Sequence, residues 1–289
     1  MNTRPDHCQS PKYRTDRFFR VARSRSALPR TLSVIVIDDE QELEQEPNPT
    51  RDYWLRARRP WASLWFLLPL LAFYEFGVLK LGEQDPSAFR NGADYWMRDG
   101  LAFVGLSNSL LLPIMLLFAL FAWHILRGDP WKVRVDTMIG MFAESIAFAC
   151  CLVVVGQIHG SIFANLPEIK ALSVTTPPVS ARIVSFVGAG VYEEVLFRLC
   201  LVPAIYTGCR LLEIPHRFSV GWAILCSSLI FAAAHYLGPA ADVFLLQTFS
   251  FRTIAGLFFA GLFFARGFGI TVGAHAVYDL VVGVLFASA

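Results

Sequence analysis

The sequence carries little charge for its length. Of its 289 residues, 17% are charged and 55% are hydrophobic, whereas a soluble domain has about 25% charged residues. The net charge of +2 gives no support to nucleic-acid binding, which relies on a strongly basic surface. The six cysteines contain no C-x-x-C pair, so neither a thiolate metal site nor a disulfide framework is indicated. This composition indicates an integral membrane protein.

The sequence also lacks the common motifs of hydrolases. There is no H-E-x-x-H, so the usual zinc-binding helix of metalloproteases is absent. There is no G-x-S-x-G, which excludes the familiar nucleophile turn of serine hydrolases. Gly267-Phe268-Gly269 is followed by Ile270 rather than by Asp, which excludes the turn of a paired-aspartate protease.

Residues 1–60 differ from the rest of the chain, because they hold 12 of the 25 Lys and Arg residues. We predict a solvated, largely disordered tail here, and a membrane domain over 61–289. The Arg and Ser content leaves a transit peptide open as an alternative, whereas no apolar core of a signal peptide is present. Arg56, Arg58 and Arg59 precede the first long apolar run, which predicts a cytoplasmic N-terminus.

Apolar runs of about 20 residues recur after the tail, and this length crosses the hydrocarbon core of a bilayer. Such runs are too long and too uniformly apolar for barrel strands. The predicted fold class is therefore all-α, a polytopic transmembrane helix bundle with seven spans, or eight if one run splits. Lys and Arg in the connections predict a cytoplasmic N-terminus and an external C-terminus. The runs are 61–80, 101–126, 135–158, 181–207, 218–237, 243–265 and 268–287.

Ionisable residues inside such runs are costly and are therefore candidates for function. Glu193-Glu194-x-x-x-Arg198 places Glu194 and Arg198 on one helix face, with the acid in the favourable N-terminal position. Glu193 points about 100° away and has no partner on its own helix. Gly188 and Gly190 lie about one turn earlier, where small residues allow another helix to approach closely.

Two further motifs lie in later runs. His275 and Asp279 are four residues apart and share a helix face, and His235 follows Phe231-Ala-Ala-Ala on a different helix. A carboxylate and imidazoles in a dry pocket can activate water and stabilise an oxyanion. This set suits hydrolysis of an amide within or at the edge of a membrane. The remaining ionisable residues of the runs are expected to make structural contacts; they are Glu75, Glu144 and Arg252.

These three motifs, in this order on three late helices, resemble the CPBP family of intramembrane proteases, which comprises CAAX prenyl endopeptidases and bacteriocin-processing (Abi) proteins. The resemblance covers about residues 180–287. It implies that Glu193 activates the attacking water together with His235. It also implies that Glu194 and Arg198 support this helix.

The last motif departs from the family pattern. The resemblance implies that His275 and the residue four positions later stabilise the oxyanion, and many members have Asn at that later position. Here it is Asp279, and an ionised Asp can only accept hydrogen bonds. Three alternatives stay open, because Asp279 is either protonated, or orients His275, or ligates a metal together with Glu193, His235 and His275. We favour a reaction without a cofactor, with zinc as the alternative.

The sequence therefore predicts an intramembrane endopeptidase that acts on a membrane-associated protein or peptide in the lipid bilayer, with no nucleic-acid partner. A non-catalytic scaffold or self-immunity protein of the same fold is the alternative. A transporter with a carboxylate proton relay is a third class. It has less support, because no inverted repeat is apparent and the ionisable residues cluster at one place.

Overall fold

The computed structural model describes residues 49–83, 86–164, 177–238 and 241–286. All of the regular structure within these ranges is helical, which confirms the predicted fold class. Residues 1–48, most of the predicted tail, lie outside the described ranges. The disorder of residues 1–48 and the domain boundary at residue 60 therefore stay predictions, whereas residues 49–57 of the predicted tail form a helix.

The described residues form ten α-helices, with three short segments of other helical type. A 3₁₀ turn covers Pro86–Phe89, and π-helical segments cover Val195–Leu201 and Val281–Leu285. The α-helices are α1 Pro49–Ala57, α2 Pro60–Leu81, α3 Gly92–Phe103, α4 Leu111–Arg127, α5 Val135–Phe163, α6 Val179–Glu194, α7 Val202–Leu211, α8 His216–Ala234, α9 Leu246–Arg266 and α10 Phe268–Leu280.

Within the described part of the chain, five helices are long and apolar enough to cross a membrane. They are α2, α5, α8, α9 and α10 with its π extension. These helices support the prediction of an integral membrane protein. The helix α6, the following π segment and α7 continue one another over 179–211, and α4 is a shorter apolar helix. The number of spans, seven or eight, stays a prediction.

The prediction of one continuous span over 101–126 is wrong. Helix α3 ends at Phe103 and α4 begins only at Leu111. Gly105 between them has a φ of 84°, a left-handed conformation that favours glycine. The Asn108 side chain then accepts a hydrogen bond from the Leu110 amide at 2.8 Å, a local contact that competes with helix continuation. Every other predicted run corresponds to a helical segment.

Helix α10 lies at the centre of the bundle and packs on α2, α5, α6 and α9. Its residues 268–276 are all buried. A Cβ atom at Gly190 would lie 2.7 Å from the backbone nitrogen of Ala276, so the α6 and α10 backbones touch at this point. The close helix approach predicted at the small residues is therefore confirmed at Gly190, whereas a Cβ at Gly188 would meet the Tyr74 side chain. This contact brings the residues after Gly190 next to His275.

An ion pair between a buried arginine and a partly buried glutamate fixes the end of α9 to α5. Arg266 donates to both carboxylate oxygens of Glu144 at 2.7 Å, and its guanidinium lies 4.0 Å from the ring centroid of Trp54 in α1. Arg252 pairs with Asp242 just before α9. Both Glu144 and Arg252 therefore make structural polar contacts, as expected.

Candidate active site

The first predicted motif lies where α6 passes into the π segment. Glu194 is the last residue of α6 and is fully buried, and Arg198 is 1% exposed. The Arg198 Nε atom lies 3.0 Å from Glu194 Oε2, which confirms the pair predicted from their spacing. Arg198 also donates to the carbonyl of Gly256 at 3.2 Å, and its guanidinium lies over the Phe231 ring. Such π segments are frequent at functional sites.

Glu194 has a second partner that the sequence did not indicate. The His275 Nδ1 atom lies 2.7 Å from Glu194 Oε1. Because a carboxylate accepts, Nδ1 donates, and the Nε2 atom of the imidazole faces the other way. A spacing rule reveals only partners on the same helix. This contact instead depends on the approach of α6 and α10 at Gly190.

The Nε2 atom of His275 faces two further carboxylates. It lies 3.8 Å from Glu193 Oε2 and 3.5 Å from Asp279 Oδ2. The imidazole is stacked on the Phe259 ring at a centroid distance of 4.4 Å. The structure therefore brings Glu193, His275 and Asp279 together around one ring nitrogen.

His235 directly follows the last residue of α8. Its Nδ1 atom lies 2.9 Å from the carbonyl oxygen of Phe231, and a carbonyl can only accept. The proton is therefore on Nδ1, and in the neutral imidazole Nε2 keeps a lone pair. The Phe231 ring packs edge-on against the His235 ring, so the Phe231-x-x-x-His235 motif both holds the ring and sets its tautomer.

Two cavities adjoin these groups. One has a volume of about 680 Å³ and is lined by residues of α5, α6, α9 and α10, including His275 and Asp279. The other has a volume of about 470 Å³ and is lined by the start of α3 and the residues after α8. Both volumes lie within the range of small-ligand sites. The walls of both cavities include Asn91, Ser185, Glu193 and His235.

Asn91 is a site residue that sequence reasoning missed. Its Nδ2 atom donates to Glu193 Oε1 at 3.1 Å. The residue lies before α3, more than 100 positions from Glu193, and nothing in the local sequence distinguishes it from an ordinary helix cap.

The predicted alternative of a metal site has no support from the arrangement of side chains. In the described ranges, no three or more His, Cys, Asp or Glu side chains are grouped so as to hold a metal ion. The choice between a metal-free reaction and one with zinc stays a prediction.

The comparison with protein families agrees with this arrangement. A family model described as type II CAAX prenyl endopeptidase Rce1-like matches residues 175–281. Over this segment the chain is similar to that family. The matched segment contains all six predicted site residues, and it supports the resemblance to CPBP intramembrane proteases and a CAAX-type endopeptidase activity in general. No curated protein and no solved structure matches the chain.

Proposed function

We propose that this Rce1-like chain is an intramembrane endopeptidase in which Glu193 and His235 activate a water molecule. Its substrate is a membrane-associated protein or peptide. One observation carries the proposal: Glu193 and His235 line the same two cavities, and the His235 Nε2 atom is free of the proton that sits on Nδ1. A carboxylate and a basic imidazole nitrogen facing one space are what general base catalysis requires.

The reaction begins when the water oxygen attacks the carbonyl carbon of the scissile peptide. Glu193 takes one proton of this water, while His235 Nε2 accepts a hydrogen bond from the other and holds the oxygen in place. The tetrahedral intermediate then collapses. The carbon–nitrogen bond breaks, the leaving nitrogen takes the proton from Glu193, and a carboxylic acid and an amine are released.

His275 is the group that would stabilise the negative oxygen of this intermediate. Its Nδ1 proton is held by Glu194, so only Nε2 can face the substrate. With protons on both nitrogens, Nε2 donates to the oxyanion. Asp279, at 3.5 Å, then acts as a counter-charge that orients the ring rather than as a donor.

Glu194 and Arg198 serve the reaction indirectly in this proposal. Arg198 compensates the charge of the buried Glu194 carboxylate, and this carboxylate sets the direction of the His275 ring. The π segment that contains Arg198 is therefore part of the framework of the site.

The decisive test is cleavage of a candidate membrane-anchored substrate in membranes that express Glu193→Ala or His235→Ala. We expect each variant to lose at least about 100-fold in rate, because a general base contributes about that much or more. Glu83→Ala, at an exposed position after α2, is the control and keeps its rate. Unchanged cleavage by both site variants would refute the proposal. Activity that survives Glu193→Gln would favour the non-catalytic alternative.

A further inference from the structure

We infer that Asn91 is a positioning residue for Glu193 and that α3 is fixed to the bundle in a way that aims this carboxylate. The starting observation is the hydrogen bond from Asn91 Nδ2 to Glu193 Oε1 at 3.1 Å. Because Asn91 is the residue before α3, this hydrogen bond connects the start of α3 to the Glu193 side chain in α6. The inference rests on the proposed function only for its catalytic consequence, since the contact itself is tested separately below.

The orientation of the Asn91 amide is fixed by a second hydrogen bond. Asn91 is the N-cap of α3, and its Oδ1 atom accepts from the Ala93 backbone amide at 2.9 Å. If the amide were flipped, its NH₂ group would face the backbone NH of Ala93 and its oxygen would face the Glu193 carboxylate. Neither hydrogen bond could then form. Helix capping by the oxygen therefore leaves the NH₂ group to donate to Glu193.

The backbone of Asn91 is held as firmly as its side chain. Its amide nitrogen donates to the hydroxyl of Tyr74 in α2 at 3.0 Å, and this hydroxyl donates to Asp94 Oδ2 at 2.9 Å. Both Tyr74 and Asp94 are fully buried. Asn91 is thus connected to α2, to the first turn of α3 and to Glu193 in α6.

Four charged residues complete the connection between these helices. Asp94 accepts from Arg90 at 2.7 Å and from Arg98 at 2.6 Å, and Glu75 in α2 lies 2.9 Å from Arg98. Burial lowers the pKa of Arg90, but the hydrogen bond and charge of Asp94 outweigh it, so the net shift is upward and Arg90 stays charged. Two carboxylates therefore balance two guanidinium groups.

This network reaches the residue next to Glu193. The hydroxyl of Tyr192, which is fully buried, donates to Glu75. The Glu193 backbone is thus fixed through its neighbour, and its carboxylate plane is fixed through Asn91 on Oε1. The Oε2 atom, 3.8 Å from His275 Nε2, is left to take the proton of the water. A misplacement of about 1 Å at such a group can cost about 100-fold in rate.

The first experiment compares Asn91→Asp with Asn108→Asp in the full-length protein. Asn108 makes the same kind of side-chain hydrogen bond without capping a helix: its Oδ1 atom accepts from the amide two residues on, that of Leu110, at 2.8 Å. It is exposed and takes no part in the site. We expect Asn91→Asp to keep the cap, to lose the donor and to lower kcat about 10- to 100-fold with KM nearly unchanged. Asn108→Asp keeps both constants. A wild-type kcat for Asn91→Asp, or an equal loss in Asn108→Asp, would overturn the inference.

The second experiment tests the contact itself and needs no activity. Asn91→Asp sets two carboxylates against each other and is expected to lower the melting temperature. Glu193→Gln in the same chain supplies an amide that donates to the introduced aspartate and is expected to restore most of the loss. If the changes in melting temperature of the two single variants simply add up to that of the double variant, the contact is refuted. If the coupling is found while Glu193→Ala still cleaves, the proposed function fails and the contact stands.

Discussion

Glu194 illustrates how one buried side chain serves two helices. One carboxylate oxygen lies 3.0 Å from Arg198, and the other accepts the proton of His275. Neither the arginine nor the carboxylate is accessible to solvent. Burying a charge is tolerated when it is paired, so each partner of this group depends on the other.

We therefore expect Glu194→Gln to be strongly destabilising. The amide can still accept from His275, but Arg198 is left as a buried charge without a counter-charge, which costs about 3–5 kcal/mol. Denaturant unfolding in detergent measures this change. Asp129→Asn is the control, because the Arg127–Asp129 pair lies at the surface and is worth about 0–1 kcal/mol. Equal stability losses in the two variants would contradict the expectation.

Asp279 provides the test of metal dependence. If it only orients His275 or balances its charge, Asp279→Asn keeps the shape and a polar partner, and we expect a rate within about 10-fold of wild type. Asp279→Leu should lose about 100-fold or more. Exhaustive chelation should leave the wild-type rate unchanged, with no stoichiometric metal in the purified protein. The opposite result would indicate that Asp279 is a metal ligand: chelation abolishes the wild-type activity, zinc restores it, and Asp279→Asn is inactive even with zinc.

At this scale the sequence indicated the candidate residues but not all their partners. Spacing predicted the Glu194–Arg198 pair, because both residues lie on one helix. It did not predict the contacts of Glu194 with His275 or of Glu193 with Asn91. Those contacts depend on which helices become neighbours, and this is decided by packing rather than by local sequence. The catalytic roles stay predictions.

At the scale of helices, one point of contact aligns the site. Gly190 in α6 and Ala276 in α10 touch through their backbones, and they lie within four residues of Glu193 and next to His275. Helix lengths followed from apolar runs, since the hydrocarbon thickness fixes how long such a run must be. The break between α3 and α4 was not predicted, although Ser107-Asn108-Ser109 interrupts the apolar run with residues that are typical of a loop.

Gly190→Ala is expected to reduce both stability and activity. Its methyl carbon would lie 2.7 Å from the Ala276 backbone, so α6 and α10 must separate and Glu193 must move away from His275. The matched control is Gly208→Ala in α7, on the same continuous helix, where an added Cβ meets nothing within 4 Å. That control should be neutral or stabilising by up to about 1 kcal/mol. Thermal unfolding and cleavage rates of both variants check this, and a neutral Gly190→Ala would contradict it.

At the scale of the whole molecule, the number of spans decides where the two ends of the chain lie. The predicted seven crossings require that α4 and the helix over 179–211 cross the membrane in addition to the five candidate spans. The 17 residues of α4 rise about 26 Å, which is close to the lower limit for a span. Mean hydropathy could not settle the number of spans, because short and interrupted helices lie close to the length and hydropathy that separate a span from a buried helix.

The predicted topology has the N-terminus in the cytoplasm and, with seven crossings, the C-terminus on the other side. Small epitope tags at the two ends test this in sealed right-side-out vesicles. We expect a protease added outside to remove the C-terminal tag at once, and the N-terminal tag only after the vesicles are permeabilised. Equal protection or equal loss of both tags would mean an even number of crossings.

The position of His275 on α10 has a consequence for biogenesis. This helix is the last of those described, and it supplies the imidazole that Glu194 and Glu193 both face. In the proposed chemistry, a chain in which α10 has not yet packed against α6 has its water-activating carboxylate but lacks the donor for the oxyanion. Such a chain would hydrolyse peptides far more slowly than the assembled bundle.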